Sequence, residues 1–125
     1  MEYCSHLWGG SAKYQLEALD SVDRRARRII CDKSITQAKL HSLQHRRNVA
    51  CVSDFYQIYF GECALELHSL VPPSPFYHRT ARHPERWHPY VVDIPSTRTK
   101  RFSSTFLIRT AKMWNALPAT VSSHV

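Results

Sequence analysis

Six of the seven prolines fall between residues 71 and 102, in the stretch "VPPSPFYHRTARHPERWHPYVVDIPSTRTKRF". A proline ring removes a backbone donor and clashes inside a helix, and it is confined to edges and bulges in a sheet. So dense a cluster pushes regular structure to either side. The chain is therefore expected to have a helical part over 1–70, a Pro/His/Arg-rich loop over 71–101, and a short C-terminal helix and tail over 102–125. One short strand is expected at 90–93 or at 101–107.

Before the prolines, apolar residues recur at helical spacing. Residues 2–8 read as the last turns of a helix, with Gly9 or Gly10 as its stop. Tyr3, Leu7 and Trp8 stand close behind Met1, where a chain end normally frays, so this segment calls for something to pack against. Ser11 suits an N-cap. A helix follows over 12–31, with Leu16, Leu19, Val22, Ala26, Ile29 and Ile30 in one broad arc. Arg24, Arg25, Arg27 and Arg28 fall outside it. Asp20 with Arg24, and Asp23 with Arg27, stand at i,i+4 spacing, where each pair contributes about 0.2–0.5 kcal/mol. Arg25 and Arg28 lack such a partner and are the residues predicted to be open to phosphate.

Residues 32–34 read as a connection and 35–43 as a short helical piece. The strongest core signal is "LQHRRNVACVSDFYQIYFGECALEL", in which Leu43, Val49, Val52, Phe55, Tyr56, Tyr59 and Phe60 repeat at helical spacing. Arg46 and Arg47 are expected to extend the basic surface. Gly61 ends or kinks this helix, and a short one follows over 62–70. The last helix is expected over 109–116, with Met113, Trp114 and Leu117 as packing residues and Pro118 beyond its end. No internal repeat is present. The fold class is thus mostly α, with three to four helices, a Pro-rich irregular second half and at most a short strand or hairpin.

A chain of 125 residues with 43% apolar composition points to one domain that can bury a core without metal or disulfide support. Seventeen Lys and Arg against ten Asp and Glu make it basic. Arg predominates over Lys, and its planar fork suits phosphate. The four cysteines form no CxxC pair. There is no secretory signal and no membrane-length apolar run, so an intracellular chain with reduced thiols is the default.

Catalysis finds little support. Phosphodiester chemistry with two metals needs clustered carboxylates, and Asp20 and Asp23 are committed to arginine pairs. Three glycines leave no phosphate loop. His78, His83 and His88 recur every five residues, a spacing that repeats no helical face and lacks the paired ligands of a zinc site. They read as surface or nucleic-acid contacts. No metal, cofactor, small-molecule substrate or membrane partner is expected, and no enzyme activity of the chain on its own.

Contact with RNA or DNA fits better. Arg25, Arg28, Arg46, Arg47, Arg79, Arg82, Arg86, Lys100 and Arg101 supply charge, and Tyr77, Trp87, Tyr90 and Phe102 supply faces on which unpaired bases stack. The bland alternative is that the aromatics fill a small core. That reading is preferred for Trp114, whereas Trp87, between Arg86 and His88, fits either.

Six blocks then occur in a telling order: "EYCSHLW", "YQLEALDSVDRRARRII", "RRNVACVSDFYQIYFGECALEL", "FYHRTAR", "STRTKRF" and "FLIRTAKMWNALP". Together they resemble the segment that follows the reverse-transcriptase domain in non-LTR retrotransposons of the jockey-like type, and the resemblance covers nearly the whole chain. It implies a mostly helical thumb-like or post-thumb region beside template and primer. It implies a piece of a longer polyprotein, whose first helix continues upstream to pack on the polymerase, and whose two ends are arbitrary. The family's catalytic aspartates belong to the upstream palm. No adjacent Asp-Asp occurs here, so no catalytic residue carries over. The resemblance implies element RNA, target DNA and the upstream polymerase domain as partners, and a nuclear location. Two functional classes stay open: a nucleic-acid-binding accessory segment, and a structural or protein-interaction piece packing on the polymerase.

Overall fold

The computed structural model describes residues 3–30, 41–62, 64–71, 88–118 and 120. The fold is mostly α. Six helices are described: α1 (Ser5–Trp8), α2 (Lys13–Ile30), α3 (Leu43–Tyr59), α4 (Leu65–His68), α5 (Lys100–Ser103) and α6 (Phe106–Asn115). Two compact units, Met1–Cys51 and Val52–Val125, divide within α3. Phe55, Ile58 and Tyr59 pack with residues of the second unit. The short helical piece expected at 35–43 lies mostly outside the described residues.

In the first unit, α1 begins after Cys4, which holds φ 52° and ψ 29°. A left-handed conformation costs a residue with a Cβ about 1–2 kcal/mol. The contacts around it hold it in place. Ser5 is buried, with its Oγ 3.7 Å from the Cys51 Sγ. Trp8 Nε1 donates to the Tyr3 carbonyl at 3.0 Å. The Arg47 guanidinium carbon lies 5.6 Å from the centre of the Trp8 ring. Ser5 and Trp8 therefore pack on α3, while Tyr3 and Leu7 stay exposed.

Helix α2 departs from the expected apolar stripe. Val22, Ile29 and Ile30 are 53%, 77% and 59% exposed. The half-buried residues are Leu16, Leu19, Asp20, Asp23 and Arg27. At about 100° per residue these five share one arc. The face turned inward is therefore mostly charged, and the reason lies in α3, described below. Ser42 caps α3, its Oγ accepting from the His45 amide at 3.2 Å. Of the expected core positions on α3, Leu43 and Phe55 are buried, while Val49, Tyr56 and Phe60 are exposed.

Helix α3 ends where Gly61 predicts. Gly61 takes φ +73°. The Glu62 amide reaches the Gln57 carbonyl at 2.9 Å, and the Gly61 amide reaches Ile58 at 3.3 Å. This crossed pair satisfies carbonyls that the last turn would leave open. A short helix, α4, follows, and His68 Nδ1 lies 3.0 Å from the Ile58 carbonyl.

The second unit is built around Phe55, Val71, Val92, Ala111 and Trp114. Trp114 is 5% exposed, as its expected packing role requires. Its Nε1 donates to the Tyr90 carbonyl at 2.7 Å. Its ring centre lies 5.4 Å from that of Phe55 and 5.5 Å from that of Tyr59, within the range of favourable aromatic pairs. Burial and, secondarily, the Tyr90 phenol push the Tyr59 pKa above its ordinary value. Asn115 bonds both ways with Val92: its Oδ1 accepts from the Val92 amide at 3.0 Å and its Nδ2 donates to the Val92 carbonyl at 2.9 Å.

Two expectations are corrected here. Residues 101–107 form no strand: α5 and the start of α6 occupy them. The Thr99 Oγ1 accepts from the Phe102 amide at 3.3 Å and caps α5, so a local cap overrides the β preference of the phenylalanines. His88 is not a surface contact. It is 3% exposed, with Nε2 2.8 Å from the Trp114 carbonyl.

Candidate nucleic-acid interface

In the first unit an ionic cluster joins α2 to α3. Asp20, Asp23 and Arg27 stand at i, i+3 and i+7, which places them on one face of α2. Arg46 and Arg47 come from the first turns of α3. Arg47 Nη2 donates to Asp20 Oδ1 at 2.6 Å and to Gln44 Oε1 at 3.1 Å. Arg46 Nη2 meets Asp23 Oδ1 at 3.0 Å, and Arg27 Nη2 meets Asp23 Oδ2 at 2.8 Å. Arg27 also donates to the His41 carbonyl at 3.1 Å. Charge-assisted bonds of this kind are shorter and stronger than neutral ones.

The cluster changes which arginines can face a ligand. Arg47 is 2% exposed and Arg46 is half-buried. Neither extends a basic surface as expected. Both are drawn inward by carboxylates on α2. Asp20, expected to neutralise Arg24, instead serves Arg47. Arg24 thereby joins Arg25 and Arg28: all three are exposed and have no ion pair among the described residues. At about 100° per residue they span an arc of about 100°. Arg24 and Arg28 stand at i,i+4, where like charges destabilise a helix by a few tenths of a kcal/mol.

Sequence reasoning missed Arg24 because the i,i+4 rule gave its carboxylate to it. The residue that overturns that assignment is Arg47, 27 residues after Asp20, which only tertiary structure can bring to it.

In the second unit, Lys100 and Arg101 are exposed on α5, and the neighbouring Phe102 ring is 47% exposed. Arg98, just upstream, is exposed as well. Arg79, Arg82, Arg86 and Trp87 lie outside the described residues. Among the described residues no three His, Cys, Asp or Glu side chains come together as a metal site. Nor is any described helix long and apolar enough to cross a membrane.

No family model, curated protein or solved structure matches the chain.

Proposed function

We propose that this chain is a nucleic-acid-contacting helical region of a reverse transcriptase of the jockey-like non-LTR retrotransposon type. In this reading it lies downstream of the catalytic palm and supplies binding rather than chemistry. Element RNA and target DNA are the ligands, and the nucleus is the place of action. The six ordered sequence blocks support the family. The observation that carries the binding role is the turning of Asp20 toward Arg47, which leaves Arg24, Arg25 and Arg28 as an un-neutralised basic arc.

The test is affinity against salt for a labelled single-stranded RNA and a blunt DNA duplex. Three neutralised phosphates give a log–log slope of about −2 to −3, or a roughly 20- to 40-fold loss between ~50 and ~200 mM salt. Arg24→Gln, Arg25→Gln and Arg28→Gln together should flatten that slope while leaving the helical circular dichroism unchanged. Binding that ignores both salt and the triple substitution refutes the assignment.

A second reading, docking of the chain on the polymerase body, is favoured by the exposed apolar residues of the first unit: Tyr3 at 88%, Leu7 at 77% and Ile29 at 77%. That surface predicts salt-insensitive association with the polymerase domain.

A further inference from the structure

The second unit carries an open cleft of about 140 Å³. Phe55, Val92, Phe102 and Ile108 supply apolar walls, and Asp93 and Thr105 are the polar groups in its lining. Phe102 is half-exposed at its edge, and Lys100 and Arg101 precede Phe102 on α5 with their side chains in solvent. An apolar space of about 150 Å³ takes one six-membered aromatic ring, so a purine fits only with its six-membered ring inside and its five-membered ring and sugar left at the open mouth.

We propose that this cleft receives one unpaired base, guanine by preference, from a strand whose phosphates meet Lys100 and Arg101. The inference rests on the nucleic-acid reading above and deepens it. Three properties select the occupant. First, the walls and the Phe102 ring suit the flat face of a base, which stacks on aromatic side chains whatever its identity. Second, two exposed cations directly before Phe102 favour a polyanion over an apolar peptide side chain. Third, Asp93 is a carboxylate that can only accept, and it has no ion pair among the described residues. A carboxylate beside a phosphate backbone is repulsive unless the ligand brings donors to it. Guanine presents two adjacent donors, N1–H and N2–H, on its Watson–Crick edge, the edge that proteins read on splayed-out bases. No other base offers such a pair.

The experiment uses the full chain and fluorescence anisotropy. The probes are labelled thymidine 12-mers with a central guanine, adenine or abasic position, and a blunt duplex. The guanine probe should bind tightest and the abasic probe weakest. Phe102→Ala should weaken the guanine probe by about 5- to 150-fold and leave the duplex unchanged. Asp93→Ala should erase the preference for guanine over adenine. Equal affinity for guanine and abasic probes, or a Phe102→Ala loss shared by the duplex, overturns the base cleft. Equal affinity for guanine and adenine in the unsubstituted chain overturns the role of Asp93. The two readings fail differently. If neither strand nor duplex binds with salt dependence, the nucleic-acid reading itself falls. If both bind and respond only to substitution of Arg24, Arg25 and Arg28, the basic arc stands and the cleft does not.

Discussion

Arg47 holds Asp20 at 2.6 Å with its guanidinium almost wholly buried, while Arg24, one helical turn beyond Asp20, is left in solvent. One contact thus does two things. It ties α2 to α3 within the first unit, and it removes the negative charge that would have masked the basic arc.

Removing Arg47 should therefore destabilise the first unit and leave Asp20 uncompensated. Breaking a buried pair from one side costs about 3–5 kcal/mol. Asp20 retains 25% side-chain exposure, which lowers the expected loss for Arg47→Ala to about 2–4 kcal/mol. Among the described residues the Nε and Nη1 of Arg47 have no hydrogen-bond partner, so the guanidinium is itself imperfectly satisfied. Arg47→Met with Asp20→Asn should accordingly recover much of the loss. Urea unfolding of the two variants measures both. A double variant no more stable than Arg47→Ala would show that the guanidinium's hydrogen bonds, and not charge balance, hold the helices together.

Gly61→Ala should cost about 1–2 kcal/mol, the penalty for placing a Cβ at positive φ. Space is not the cause, because an added Cβ would meet its nearest neighbour, His68 Nδ1, only at 4.0 Å. Gly61→Asn should cost less, since asparagine tolerates the left-handed region better. Thermal melts of the two variants give the comparison. Equal losses would place the cost in the loop after α3 rather than in the backbone angle.

Tyr59 sets a stability limit at high pH. Its folded pKa is raised, first by burial and then by Tyr90, above the ordinary value of about 10. The unfolded chain therefore gives up this proton at lower pH than the folded chain does. The stabilisation is complete below the ordinary value and is lost as pH rises through the raised one. Melting temperature should fall over that window, and Tyr59→Phe should fall less steeply. An identical slope in the variant would exclude Tyr59 as the group responsible.

The helices were legible because period and punctuation agree. Apolar spacing places α3, Gly61 ends it by its backbone freedom, and Pro118 follows the end of α6 closely. The inward face of α2 was not legible. Val22 and Ile29 look like core by spacing, but the partners that decide which way α2 turns are Arg46 and Arg47, too far along the chain for any local rule to find. The same distance hid His88, whose ring is claimed by a carbonyl at Trp114. The stretch 101–107 is one of two places where a short strand is expected. In the structure Thr99 caps α5 and Phe106 opens α6, so the segment is helical. That Arg25 and Arg28 stand exposed was readable because neither has an acidic residue one turn before it. Arg47 was misplaced because a charged residue is normally taken as a surface residue.

Asn115 offers Val92 the donor and the acceptor that an adjacent strand would otherwise supply. One amide at the end of α6 thus serves as a one-residue template for extended backbone. The shielding of the Val92 amide from solvent hydrogen is therefore borrowed. It depends in part on the final turn of α6 staying wound, and so on a helix to which Val92 does not belong.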